Sequence, residues 1–254
     1  MGDKMKYLII NGSPRKKNTW AMVKRAKSIL GEAEFEEVQL MKEKIPMCNG
    51  CFKCIMEGED NCPHHDQINT ILEKLRNADG LIIASPVYAM NVTALLKNFF
   101  DHTAYLYHRP EFFEKKALVF VSTAGAGQND VAKYIDENLR HWGFNKVYKA
   151  AIACGGKEHL ETKEIDKASE KFKKDIESNK LHSPKFMDIL FYNVWRAMAL
   201  TEDPIKADAE YWKSTDLVSH DFAPVVKLNP IKKIFAKIMF FIFKSSLTLA
   251  CTSS

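Results

Sequence analysis

The sequence predicts an α/β protein built on a parallel sheet with helices packed against both faces. Short runs such as Tyr7-Leu8-Ile9-Ile10 and Leu81-Ile82-Ile83-Ala84 are apolar at every position, as strands buried on both faces are. Segments of helical periodicity stand between these runs. Loops of Asn, Gly, Ser and Pro follow the strands directly, at 11–14 and 85–86. Such alternation makes successive strands parallel and joins them by right-handed crossovers.

In order, the first strand starts at Lys6 and stops at Asn11-Gly12-Ser13-Pro14. Asn18 or Thr19 is the expected cap of a helix reaching about Leu30, with Trp20, Val23 and Ala26 at helical spacing. Phe35 to Leu40 is the second strand. Asp66 is expected to cap a helix carrying Ile68, Ile71, Leu72 and Leu75, and 81–84 is the third strand. A helix from Thr93 to His102, a strand from Ala117 to Ser122, a helix from Asp130 to Trp142 and a strand from Val147 to Ala153 follow. A polar helix near Thr162 to Ser178 ends the alternation. Five strands of this kind bind ligands beyond their C-terminal ends, where strand order reverses, so the loops after strands one, three and four converge.

The apolar share of 46% and charged share of 27% over 254 residues are those of an ordinary globular chain. A net charge of +5, not gathered into a Lys/Arg block, argues against nucleic acid and leaves small anions open. Met1-Gly2-Asp3-Lys4 runs at once into a strand without room for a secretory signal, and a cytoplasmic location is expected. Residues 1–180 read as the sheet domain, with a cysteine-rich insertion at 46–63, and 181–254 as a helical C-terminal extension.

The first loop, Asn11 to Thr19, combines hydroxyls, a helix start and Arg15, which suits a phosphate and equally suits a capping turn. It lacks Gly-x-Gly-x-x-Gly and Gly-Lys-Ser/Thr, which excludes a dinucleotide fingerprint and a triphosphate loop. The second, Ala84-Ser85-Pro86-Val87-Tyr88-Ala89-Met90-Asn91, offers a wall for a planar heterocycle. The third, Ser122 to Asn129, carries Gly125 and Gly127, where backbone can approach a ligand.

Asn-Gly-Ser-Pro-Arg at 11–15, Asn-Thr at 18–19, Ser-Pro-Val-Tyr at 85–88 and Leu-Lys-Asn-Phe-Phe-Asp at 96–101 resemble the NAD(P)H-dependent FMN reductase and multimeric flavodoxin families over about residues 5–180. The resemblance implies a flavodoxin-like three-layer fold, strand order 2-1-3-4-5, and an FMN-dependent oxidoreductase. It assigns the FMN phosphate to Ser13, Arg15, Asn18 and Thr19, and the isoalloxazine to Pro86, Val87, Tyr88 and Asn91. Thr123, Ala124, Gly125 and Gly127 would approach the ring's other edge. His102 stands where relatives often have Arg or Lys. A homodimer or homotetramer, with a neighbouring subunit completing the flavin pocket, is implied in the same way. No side chain is assigned a catalytic role.

Cys48-x-x-Cys51-x-x-Cys54-x7-Cys62-Pro63 places four thiols within fifteen residues, beside glycines at 50 and 58. Ferredoxin runs use similar steps and a trailing proline, so a [4Fe–4S] cluster is favoured, with a zinc site, a thiol–disulfide pair or idle thiols as alternatives. The arrangement resembles the iron–sulfur flavoprotein branch of the same families. His64 and His65 read as solvated loop residues, Cys154 as a small core residue, and Cys251 as unused.

Phe186 to Met198 reads as an amphipathic helix, and the following Trp212-containing segment as polar to about Ser219. The last thirty residues hold five lysines and no Asp or Glu around a broad apolar surface. A helix covering the core or a dimer interface is favoured there over a peripheral membrane contact. Electrons from NAD(P)H or a ferredoxin-like donor would pass to a small-molecule acceptor, with a non-enzymatic carrier between a ferredoxin and a partner, or a plain NAD(P)H:FMN/quinone reductase without a cluster, as alternatives.

Overall fold

The computed structural model describes residues 4–155 and 162–252, with side chains described as far as residue 247. Strands β1 (Lys6–Asn11), β2 (Glu34–Gln39), β3 (Gly80–Pro86), β4 (Lys116–Thr123) and β5 (Lys146–Ala153) form one sheet in the order β2-β1-β3-β4-β5. Every pairing is parallel. The helices in chain order are α1 (Asn18–Leu30), α2 (Leu40–Glu43), α3 (Lys53–Met56), α4 (His65–Arg76), α5 (Ala94–His102), α6 (Gln128–His141) and α7 (Lys163–Glu177). Beyond them lie α8 (Phe186–Met198), α9 (Lys206–Ser214) and α10 (Pro230–Thr252).

Side chains alternate across a strand, and the two faces of the sheet bury two separate clusters. Tyr7, Ile9, Ile82, Leu118 and Phe120 pack with Trp20 and Val23 of α1 and Ile165 and Phe172 of α7. Leu8, Ile10, Leu81, Ile83 and Val119 pack on the other face with Ile71 and Leu72 of α4, Phe99 of α5 and Ile135 of α6. Each large aliphatic side chain fully removed from water contributes about 1.5–3 kcal/mol, so the sandwich of sheet and helices carries the fold. Strand β4 is buried along its whole length, while edge strand β2 buries only Val38.

Local details differ from the sequence expectations. Strand β2 begins at Glu34, whose N–H bonds Met5 O at 2.8 Å, and ends before Leu40, which opens α2 and turns into the core. Helix α1 starts at Asn18, with Lys17 at the cap position and no side-chain cap. Helix α4 starts at His65, so Asp66 lies in its first turn, where its charge complements the positive helix end, and does not cap it. Thr93 does cap α5, accepting Leu96 N–H at 3.3 Å.

Helices past Lys180 build a third cluster, in which Tyr192, Trp212, Leu217 and Ala223 meet Phe113. Trp212 is wholly buried and its indole N–H donates to His108 O at 2.9 Å, so the segment read as polar is an anchored helix followed by a short 3-10 turn. Arg140 of α6 donates to Asp188 of α8 at 3.1 Å.

Gly80 opens β3 where α7 presses on the sheet, and an added Cβ there would lie 2.6 Å from Phe172 Cζ. Gly80→Ala is expected to destabilise the protein by about 1–3 kcal/mol through overpacking. Urea unfolding with an unchanged slope is the check; an unshifted midpoint would show that Phe172 moves aside freely.

Candidate functional site

Strand order reverses at β1, and the loops beyond β1, β3 and β4 meet at that end of the sheet. Gly12 N–H continues the ladder to Ala84 O at 2.8 Å, and Thr93 Oγ1 donates to Gly12 O at 2.7 Å. Thr19 Oγ1 and Ser122 Oγ share a hydrogen bond at 2.6 Å, and Val87 N–H donates to Ser122 O at 2.9 Å. A Cβ on Gly127 would lie 3.0 Å from Met90 Cε and 3.3 Å from Val87 Cγ1, so the second and third loops touch. These contacts join the three loops through Gly12, Thr19, Val87, Thr93, Ser122 and Gly127.

Their states differ. Ser13 is buried; its hydroxyl donates to Arg15 O at 2.7 Å and accepts Arg15 N–H at 3.3 Å, and its own N–H donates to Asn11 Oδ1 at 2.9 Å. Thr19 is buried with its hydroxyl on Ser122. Lys16 is drawn aside to Glu37 at 2.8 Å, and Arg15 is exposed. The Glu37 carboxyl, pushed up by partial burial, is pulled below the usual range by hydrogen bonds from Lys16 and Lys27. Helix α1 thus begins with no side-chain cap and no acidic residue in its first turn, an end whose N–H groups have no partner within the helix and favour an anion.

Tyr88 and Asn91 exchange backbone hydrogen bonds at 2.9 Å, closing a two-residue hairpin whose central residues, Ala89 and Met90, both have positive φ, 47° and 63°. Neither residue is Gly or Asn, so this turn stores strain of about 1–3 kcal/mol per residue at the rim of the site. Tyr88 and Met90 are exposed there, and a Cβ on Gly125 would meet nothing within 4 Å. Thr123 Oγ1 donates to Ala126 O at 3.2 Å and accepts Gly125 N–H at 3.2 Å, which fixes the third loop around Ala124.

Cys154, read from sequence as plain core, is part of this scaffold. Its thiol donates to Thr123 O at 3.0 Å and meets the Asn18 amide at 3.3 Å, tying the end of β5 to the start of α1. The pairing of β5 with β4 brings it there, a contact no local pattern encodes. Cys251 lies outside the described side chains.

The cysteine segment runs beside α5. Cys48 N–H donates to Asn98 Oδ1 at 2.9 Å, and Pro46 O accepts from Asn98 Nδ2 at 3.0 Å and pairs with His102 Nε2 at 2.8 Å. Positive φ at Gly50, Phe52 and Gly58 curls the chain between these points. Arg109, 3% exposed, donates to Cys54 O and to Ile55 O at 3.2 Å, and pairs with Asp208 of α9 and with Glu59 at 3.2 Å. Its Nε has no hydrogen-bond partner among the described residues. His65 pairs with Glu59 O at 3.1 Å and His64 stands edge-on to His102, so both, expected as solvated loop residues, are half-buried. Among the described residues no three Cys, His, Asp or Glu side chains are gathered as a metal-binding group. The four thiols nevertheless share one neighbourhood: burial first, then Cys62 and Cys48, push the Cys54 thiol up to about 11.

A cavity of about 420 Å³, lined by Tyr107, Phe144, Phe191 and Trp195, lies at the other end of the strands. Its ionic groups are already paired, Arg140 with Asp136 and Asp188. It is separate from the three loops.

The sequence profile of NADPH-dependent FMN reductase matches residues 5–157. The chain belongs to that family. This FMN reductase family member is an FMN-dependent oxidoreductase by its membership. It is 31% identical over 222 residues to an iron–sulfur flavoprotein of Archaeoglobus fulgidus, covering 84% of the chain and 100% of that relative. An iron–sulfur flavoprotein of Methanosarcina thermophila is 33% identical over 141 residues, 54% of the chain and 72% of the relative. Two solved structures share the fold of the FMN reductase family member at 16% identity. An NAD(P)H:quinone oxidoreductase of Methanothermobacter marburgensis has TM-score 0.51 and covers 70% of this chain and all of its own. RosB with a bound riboflavin-phosphate intermediate has TM-score 0.55 over 89% of this chain and 92% of its own.

In metal-free protein, alkylation of Cys54 is expected to rise with pH only towards about 11, above the ordinary cysteine range near 8.5. Site-resolved mass spectrometry checks this, and half-maximal labelling of Cys54 near pH 8.5 would show the thiol to be solvated.

Proposed function

We propose that this oxidoreductase holds FMN at the three loops, draws electrons from NAD(P)H or a ferredoxin-like donor, and reduces a small-molecule acceptor, with an iron–sulfur cluster on Cys48, Cys51, Cys54 and Cys62. The observation that carries the flavin site is the uncapped, acid-free start of α1 at the point where strand order reverses. Bound FMN supplies both one- and two-electron transfer, which suits pairing with a one-electron cluster. The remaining work belongs to the protein. Arg15 and the first-turn N–H groups at Asn18 and Thr19, with Ser13 closing the loop, bind the phosphate. Pro86, Val87, Tyr88 and Asn91 form one wall for the ring, held rigid by the strained hairpin. Thr123, Ala124, Gly125 and Gly127 form the other, with Gly125 leaving room for close approach. Exposed Tyr88 and Met90 mark the side that a second copy completes, in a homodimer or homotetramer.

Four thiolates are a donor set for a [4Fe–4S] cluster. The segment that carries them is pinned at Pro46, Cys48 and Cys54 and curls between those points at Gly50, Phe52 and Gly58. Arg109 sets a buried positive charge beside Cys54, favouring thiolate ligands and an anionic cluster.

Anaerobic purification followed by flavin, iron and sulfide analysis is the test. One FMN with about four iron and four sulfide per chain supports the reading. FMN without iron removes the cluster, and sustained NAD(P)H oxidation with a quinone separates the enzyme from a carrier. Arg15→Ala is expected to raise the FMN dissociation constant about tenfold, the loss of one exposed charged hydrogen bond. Unchanged flavin affinity by fluorescence titration would remove Arg15 from the phosphate site.

A further inference from the structure

Helix α10 is packed on one side only. Ala236 is buried against α8, Phe235 meets Phe186 edge-on at 5.0 Å, and Phe240 lies 4.1 Å from the Arg196 guanidinium. Lys232 Nζ donates to Ser183 Oγ at 2.9 Å and Pro184 O at 2.6 Å. The opposite side is bare and apolar: Ile231, Ile234, Ile238, Phe241 and Ile242 are 45–72% exposed. With 3.6 residues per turn, these five fall within about 100° of arc. Lys233, Lys237 and Lys244 fall in a row about 40° wide along one edge of that arc. From Phe222 to the last residue the sequence has five lysines and no Asp or Glu.

We infer that this face of α10 docks on anionic lipid bilayers, lying in the plane of the surface. Ile231, Ile234, Ile238, Phe241 and Ile242 enter the boundary between headgroups and acyl chains, and the lysine row meets the lipid phosphates. Charge selects this occupant. A second copy bringing the same face across a two-fold axis perpendicular to the helix would set the lysine rows against one another, with no acid in the segment to neutralise them. A layer of anionic lipid presents the opposite charge along the whole row. The helix lies on the bilayer and does not cross it, since no helix of the described residues is long and apolar enough to span. The surface stands apart from the flavin loops, so this inference does not depend on the FMN or cluster assignments.

The full chain is to be sedimented with vesicles of phosphatidylcholine alone and with about one third phosphatidylserine, at about 50 mM and about 500 mM salt. Binding at low salt is expected to be about tenfold or more tighter on the anionic vesicles, and to fall by at least that factor at high salt. Lys233→Glu with Lys237→Glu should abolish the preference for anionic lipid. Ile238→Ser with Phe241→Ser should weaken binding at both salt concentrations. Circular dichroism and flavin content identical to the parent show that each variant is folded, and the salt dependence of the parent stands without them. Equal partition on neutral and anionic vesicles, or no pelleting at low salt, overturns the inference. So does a dimer in analytical ultracentrifugation that Phe241→Ser dissolves while the parent ignores vesicles.

Discussion

Strand β1 is hydrogen-bonded on both sides, to β2 and to β3, and the chain leaves it in one direction and returns in the other. That reversal leaves the crossover helices on opposite faces and opens a crevice at the C-terminal end of β1. Gly12 makes the crevice narrow. A Cβ there would lie 3.0 Å from Leu96 Cβ, so the absence of a side chain lets the first loop sit against α5 while its N–H still reaches Ala84 O. Thr93 then serves two masters, capping α5 and holding Gly12 O, and so joins the first loop to the second. The positions of Ser13, Arg15 and the start of α1 all follow from this closure.

The parts of the molecule that the sequence made readable are those decided by near neighbours. Strand β4 is a run of apolar residues because both of its faces are covered, and Thr93 sits one residue before a helix with the chemistry of a cap. The three loops announce themselves by following such strands. What was hidden depends on distant pairings. Cys154 looks like any small buried residue until β5 is laid beside β4, and Arg109 looks like a surface cation until Asp208 arrives from α9. Ala89 and Met90 gave no hint of left-handed backbone, since a tight hairpin there would ordinarily advertise itself with Asn or Gly.

The cysteine segment and the flavin loops are held by different means. The loops are cross-linked by backbone hydrogen bonds at the C-terminal ends of the interior strands, which resist displacement. The segment hangs on a few side chains, Asn98, His102 and Arg109, whose polar atoms replace the backbone partners that a strand would have given it. A stretch fastened at points and curled between them is held beside α5 by Asn98 and His102, on the same sheet that carries the three loops.

Arg109 and Asp208 are 99 positions apart, and the segment they brace ends well before either. During synthesis, at about 5–20 residues per second, a delay of about 5–20 s separates their emergence. Through that interval the guanidinium has no buried carboxylate to meet, and the thiols upstream are already outside the ribosome. The order in which the chain appears therefore gives the cysteines a period of open access before the C-terminal helices close over their anchor.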